Sequence, residues 1–261
     1  ALALVKENGD KYAYCFYNRA GYGKLGFRCD FGPISYTEVR QAVSYVIDKD
    51  DFCKQFTSGY GVVVYGAYCE DQWMYQANKN KIKLNSYEVN TSKAISVLEK
   101  GGWIYDAKGG KYETGDGVRY KKISGTELTE NNLKYQSVDG AYKTIKINGE
   151  YYMPLVINWY CSEDNEVSEL LKTTWAKNSR VSDVGMAVQY TQGTFPALIA
   201  ELTQDEGNGY TGPAKYVAFN FGTGFTSAVY DYSFGYTLDP DMYDLYQQYY
   251  LPDAADYVWG E

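Results

Sequence analysis

Residues 230–246 read Tyr-Asp-Tyr-Ser-Phe-Gly-Tyr-Thr-Leu-Asp-Pro-Asp-Met-Tyr-Asp-Leu-Tyr and gather several kinds of binding chemistry in one stretch. Asp231 and Asp239 supply carboxylates for an ammonium group, and Tyr232, Phe234 and Tyr236 supply ring faces for side chains. Gly235 lets the backbone bend, and a strand edge nearby would hold an extended peptide by its main chain. A surface loop whose acids are merely solvated has the same composition, so both readings stand at this point. Asp239, Asp241 and Asp244 do not make a calcium loop, because Tyr243 and Asp244 break the alternation of acids followed by glycine. Acids there suit the start of a helix, whose dipole favours them.

The chain has no histidine, which removes Ser-His-Asp and Cys-His catalysis, imidazole metal ligands and the usual proton shuttle near neutral pH. A two-carboxylate hydrolase built from Asp231, Asp239 or Asp241 needs one carboxyl with a raised pKa and a separation of about 5 to 9.5 Å, and the sequence displays neither. Five cysteines (Cys15, Cys29, Cys53, Cys69, Cys161) include no Cys-x-x-Cys pair and fit no zinc site. Cys15/Cys29 and Cys53/Cys69 are spaced for local bridges, while small buried hydrophobes are the plainer reading of most of them. Arg40, on an otherwise apolar helix, reads as the partner of an acid such as Asp48 rather than as a ligand anchor. Tyr65 and Trp73 lie in an irregular stretch suited to a cleft rim, with core packing the default for Trp73.

Charge narrows the partners. Twenty-five bases against 33 acids give −8, and residues 201–261 hold ten acids against the single base Lys215. That leaves −9 in the last 61 residues and +1 in the first two hundred. Such a field repels phosphate backbones and argues against nucleic acid and anionic membrane surfaces as partners. Thirty tyrosines among 261 residues suit a recognition surface as well as a core, so a Tyr-rich cell-surface interaction domain is one reading of the composition. No apolar run approaches the length that spans a bilayer.

The elements that must carry these residues are legible in part. The chain opens Ala-Leu-Ala-Leu-Val, read as a strand entered abruptly, as in a mature or excised chain. Residues 12–18 are aromatic enough for a strand, after which Gly21, Gly23 and Gly26 turn the chain. Ser35 and Glu38 make a capping box ahead of a helix with Val39, Ala42, Val43, Val46 and Ile47 on one face. Asp48 caps a helix to Phe56, and Asn90 caps another to Lys100 that stops at Gly101-Gly102. Trp103–Tyr105 is a strand, 124–142 a loop or peripheral insertion, and 145–151 a hairpin on Asn148-Gly149. Residues 155–160 (strand), 162–177 (helix) and 186–190 (strand) form a βαβ unit. A helix at 194–203, a strand at 216–221 and a helix at 241–250 follow, so the class is α/β with a mixed sheet flanked by helices.

The ordered set Val39-Arg40-Gln41-Ala42-Val43 to Asp50, Gly59-Tyr60-Gly61, Leu98-Glu99-Lys100-Gly101-Gly102-Trp103, the 165–175 helix and Ala218-Phe219-Asn220 resembles the extracellular solute-binding proteins of family 5, the oligopeptide-binding components of ABC importers. The resemblance covers nearly the whole chain and implies a single domain over 1–261, the second lobe of a two-lobed protein of the type II periplasmic-binding-protein kind. The first lobe and the lipobox signal would lie outside this chain. It further implies a binding module without catalysis or cofactor, a peptide or oligosaccharide ligand, a membrane permease as partner, and a cell-surface or periplasmic location with a lipid anchor on the full-length protein. Segments matching Tyr14–Asn18 and Tyr230–Pro240 border the cleft in the family, which adds Phe16 and Asn18 to the candidate ligand residues Asp231, Tyr232, Phe234, Tyr236 and Asp239. Peptide-binding relatives hold the ligand's amino terminus with an Asp a few residues before this proline. Counted from Pro240, that slot is Tyr236 here.

Overall fold

A computed structural model describes residues 2–13, 21–29, 31–66, 68–70, 73–128, 144–204, 206–210, 215–224 and 259–260. The strand expected over 12–18 and the helix expected over 241–250 fall wholly or mainly outside them. The described residues form two sheets flanked by helices. Sheet A has the order β7-β6-β8-β1-β9 and sheet B the order β2-β3-β5-β4.

Strand β6 (Val156–Ser162), flanked by β7 and β8, is buried along its whole length, as a continuous apolar run requires when helices cover both faces. The chain leaves β6 through a turn in which Asp164 takes a left-handed φ of 51°. Helix α6 (Glu166–Leu171) therefore starts later than the sequence suggested, where the Asn165 side chain accepts from Ser168 N. It continues as a π-helical turn over Lys172–Ala176 and is followed by a short helix, α7 (Ser179–Asp183). Strand β7 (Ala187–Gly193) then pairs parallel with β6, completing the βαβ unit. Thr194 caps α8 (Phe195–Thr203), which crosses to β8 (Ala218–Gly224), parallel to β6 on its other side.

Strand β1 (Gly21–Arg28) runs antiparallel to β8, with Phe27 opposite Ala218 and Gly21 opposite Gly224. The glycines expected to turn the chain instead lie inside this strand. Gly26 explains part of that: a Cβ there would stand 3.0 Å from the Phe221 ring across the ladder, so glycine makes room for the ring. Strand β9 (Trp259–Gly260) adds to the far side of β1. The opening residues are α1 (Leu2–Glu7) and not a strand; Leu, Ala, Lys and Glu are strong helix formers.

The main core packs Leu155, Ile157, Trp159 and Cys161 with Val39, Val43 and Val46 of α2 (Thr37–Val46), Leu98 of α5 (Thr91–Lys100) and Trp175. A second cluster, Tyr160 and Phe219 with Leu198 and Leu202 of α8, lies apart from it. Each of these large side chains contributes about 1.5–3 kcal/mol by leaving water.

The Ser35–Glu38 capping box does not form. Ser35 Oγ donates to Gly32 O at 2.7 Å, closing a turn of 3-10 helix at Pro33–Ser35, and Glu38 reaches Lys121 at 3.8 Å. Arg40 is structural, but its partners are the Ile34 and Ser35 carbonyls at 2.8 and 2.9 Å, while Asp48 faces Arg180 at 3.9 Å. Asp48 and Asn90 cap α3 (Lys49–Thr57) and α5 as the sequence indicated. Helix α4 (Trp73–Asn78) follows α3. Cys53 is a free thiol, so no Cys53–Cys69 bridge exists; Cys15 lies outside the described residues.

Sheet B holds β2 (Trp103–Tyr105), β3 (Tyr120–Ile123), β4 (Ile145–Ile147) and β5 (Glu150–Pro154), with the β4–β5 hairpin turning on Asn148 and Gly149, both at positive φ. Arg119 ties it to the rest. Its buried guanidinium donates to Val184 O at 2.9 Å and Trp103 O at 3.0 Å and lies 4.2 Å from the Tyr112 ring centroid.

Candidate functional site

Strands β6, β7 and β8 run the same way, so their carboxyl ends, Ser162, Gly193 and Gly224, fall on one edge of sheet A. Strand β1 runs the other way, which brings its first residue, Gly21, to the same edge opposite Gly224. In open α/β sheets with crossover helices, ligands bind outside the carboxyl ends of the strands. The two stretches singled out in the sequence join the sheet here: residues 14–20 lead directly into Gly21, and residues 225–258 follow directly from Gly224. Phe16, Asn18, Asp231, Tyr232, Phe234, Tyr236 and Asp239 themselves lie outside the described residues, as do Asp241 and Asp244.

The described part of this edge is built tightly. Glu163 N donates to Gly193 O at 2.8 Å, joining the ends of β6 and β7. A side chain on Gly193 would run into the Tyr160 hydroxyl, so only glycine allows that closeness. Burial pushes the Tyr160 phenol up, and its ring meets Tyr216 edge-on at 4.8 Å between centroids. Beyond Gly193, Thr194 accepts from Ala197 N and Pro196 stiffens the first turn of α8. This rigid start presents Phe195 with 57% of its surface exposed. On the β1–β8 pair, Lys24 stands opposite Phe221, with Nζ 5.0 Å from the ring centroid, and Tyr22 stands opposite Thr223.

A buried polar chain holds α6 against these strands. Trp159 Nε1 donates to Asn220 Oδ1 at 3.0 Å, and Asn220 Nδ2 donates to Ser168 Oγ at 3.2 Å. Lys172 and Gln192 both donate to Glu169 Oε1, at 2.6 and 3.0 Å. Burial raises the Cys161 thiol to about 11 against the opposing pull of Lys172, which makes it a packing residue and a poor nucleophile. The arrangement offers ring faces, one ammonium and fixed main chain, which is recognition chemistry.

Sequence reasoning did not single out Tyr160, Phe195, Lys24 or Phe221 as edge residues. The signal for Phe195 was present in Gly193-Thr194-Phe195-Pro196, a large apolar residue between a cap and a proline, where no core position follows from periodicity. Tyr65, named for a cleft rim, has its phenol pushed up by burial first, with Asp50 and Glu88 adding to it. Trp73 opens α4. Among the described residues no group of three or more Cys, Asp and Glu is arranged to hold a metal, and no helix is long and apolar enough to cross a membrane.

The family model described as bacterial extracellular solute-binding proteins, family 5 middle, matches residues 2–146. No curated protein matches the chain. Among solved structures, the oligopeptide-binding protein AppA from Bacillus subtilis in complex with a nonapeptide is 17% identical with a TM-score of 0.56, over 87% of this chain and 37% of that one. A periplasmic oligopeptide-binding protein from Thermotoga maritima bound to mannohexaose is 13% identical with a TM-score of 0.59, over 99% of this chain and 39% of that one. NikA from Brucella suis in complex with Fe(III)-EDTA is 16% identical with a TM-score of 0.55, over 97% of this chain and 41% of that one. The chain thus spans about two-fifths of the length of these solved proteins.

Proposed function

Because this chain belongs to the bacterial extracellular solute-binding proteins of family 5, we propose that it is the ligand-binding lobe of an ABC-importer solute-binding protein. Its fold, a mixed sheet flanked by helices, is that of one lobe of a type II periplasmic-binding-protein architecture. In this reading residues 1–261 are a single domain, the second of two lobes, which works outside the cytoplasm by closing with a first lobe over its ligand and delivering it to a membrane permease. The chain binds and does no chemistry on what it binds.

The observation that carries the reading is the pairing of Gly21 with Gly224, which brings the roots of both candidate segments together at the carboxyl edge. Phe16, Asn18, Asp231, Tyr232, Phe234, Tyr236 and Asp239 are the proposed ligand residues, with Phe195 as an added apolar wall. The ligand is an oligopeptide. Counted along the sequence from Pro240, Tyr236 takes the slot of an acidic clamp, which leaves Asp231 or Asp239 to meet the ammonium group. An oligosaccharide is the second reading: a similarly folded protein is bound to mannohexaose, and the candidate segment is rich in tyrosine faces that stack on sugar rings.

The test is native mass spectrometry of the full two-lobed protein against a mixed peptide pool and a mixed oligosaccharide pool. Retained peptides are expected, with retention weakened by Asp231→Asn or Asp239→Asn. Retention of sugars alone replaces the first reading with the second, and retention of neither overturns both.

A further inference from the structure

Three Asn-Gly pairs stand in the sequence, Asn8-Gly9, Asn148-Gly149 and Asn208-Gly209. Glycine has no Cβ to shield its nitrogen, so that nitrogen can reach the side-chain amide carbon of the asparagine before it. The fold treats the three pairs differently. Asn8 Nδ2 donates to Leu4 O at 3.0 Å, and Asn8 O accepts from Lys11 N and Tyr12 N at 2.9 and 3.0 Å, so both the amide and the peptide group beside it are held. Gly209 N donates to Glu206 O at 3.0 Å, which occupies the attacking nitrogen. Asn148 and Gly149 are both exposed, and among the described residues neither the Asn148 amide nor Gly149 N has a hydrogen-bond partner. A Cβ on Gly149 would meet nothing within 4 Å, so the turn has open space around it. Strand β4 is the edge of sheet B and only three residues long, so little holds the turn against opening.

We propose that Asn148-Gly149 is a self-modification site, at which the chain converts Asn148 to aspartyl and β-aspartyl residues with water as the only co-reactant. Gly149 N gives its proton to solvent hydroxide and bonds to Asn148 Cγ, closing a five-membered imide. The bond from Cγ to Nδ2 breaks, and that nitrogen leaves as ammonia after taking a proton from water. A water molecule then opens the imide. Breaking the new bond between Gly149 N and Cγ gives aspartate, which fits this turn because Asp-Gly adopts the same pair of positive φ values. Breaking the bond from Gly149 N to the original carbonyl carbon gives a β-linked residue, one methylene longer in the main chain. A two-residue turn has no slack for that atom, so the Ile147–Glu150 pair that closes the hairpin separates. Either product adds a carboxylate close in sequence to Glu150, which pairs with Lys122 at 3.0 Å.

The test is incubation of the full chain at mildly alkaline pH, native and in urea, followed by peptide mapping that separates the asparaginyl, aspartyl and β-aspartyl forms. In the native chain Asn148 is expected to convert at least about fivefold faster than Asn8 or Asn208, which must each first give up a hydrogen bond. In urea the three rates converge. Asn148→Gly, which keeps a turn-forming Gly-Gly pair, removes the ammonia released early in the native incubation. Hydrogen exchange at Glu150 N is expected to quicken in the β-aspartyl form and not in the aspartyl form. A native Asn148 that converts no faster than the other two overturns the proposal, as does unchanged early ammonia release by Asn148→Gly. Unchanged exchange at Glu150 N in the β-aspartyl form overturns the opening of the hairpin.

Discussion

Arg119 carries a guanidinium into the interior, and its neighbours are arranged so that it is never left without acceptors. It donates to carbonyls on two separate segments, Val184 and Trp103, and lies against Tyr112. Gly185 makes the space: its φ is 74°, and a Cβ there would meet Arg119 Cγ at 2.6 Å and Tyr112 Oη at 2.8 Å. Gly185→Ala combines a left-handed backbone with overpacking and is expected to cost about 3 kcal/mol, read from the urea midpoint. Cys161 gives a second prediction. Its thiol stays protonated up to about pH 11 in the folded state because it is buried, whereas in the unfolded chain it ionises near 8.5, as ordinary cysteines do. Folding therefore gains from the neutral thiol below about pH 8.5, and that contribution is lost as pH rises through the folded value. Iodoacetamide at mildly alkaline pH is expected to label Cys53 and spare Cys161 until the protein is denatured; mass mapping of the labelled peptides checks it.

The caps explain which helices were legible in the sequence. Asp48 and Asn90 sit one residue before their helices and accept from Asp51 N and Lys93 N, a local signal that the fold leaves in place. Asn90→Ala is expected to cost about 1 kcal/mol in urea denaturation. The Ser35–Glu38 pair has a capping-box spelling but does not cap, because Ser35 Oγ donates to Gly32 O and Glu38 reaches Lys121 of sheet B. The reciprocal box forms instead at Ser124 and Glu127, in a stretch the sequence presents only as polar: Ser124 N donates to Glu127 Oε2 at 2.7 Å, and Glu127 N to Ser124 Oγ at 3.1 Å. Three glycines in eight residues argue for a turn, and the structure supplies a reason for one of them, Gly26, which makes room for the Phe221 ring across the ladder. The candidate site was legible as chemistry, in its acids and rings, while the edge that gathers it depends on strand order, which no local pattern carries. Burial pulls the Glu127 carboxyl up, but hydrogen bonds from Ser124 N and the Tyr36 hydroxyl outweigh it and hold the carboxyl below its usual range. That contribution is present above the unfolded value of about 4.3 and lost as pH falls through the folded one. Glu127→Gln is expected to flatten the acid limb of the stability profile, measured by urea midpoints across that range.

At the scale of the molecule, one sheet edge collects the ends of four strands and the roots of both candidate segments. Phe195 stands at that edge on a stiff helix start and contributes little to the core, so its roles in stability and in binding separate. Phe195→Ala is expected to change stability by no more than about 0.5 kcal/mol. Ligand retention by the two-lobed protein is expected to fall, and native mass spectrometry beside urea denaturation reads both. The pairing of β1 with β8 has a consequence for how the chain acquires its structure. Strand β1 is synthesised well before β8, the partner along most of its length, which begins at Ala218. The intervening chain must close before that ladder returns any free energy, so the β1–β8 pairing is a later event in folding than the local β6–β7 unit. A polypeptide threaded amino-terminus first through a pore would carry β1 without its β8 partner until residues 218–224 are through, so this ladder forms only on the far side.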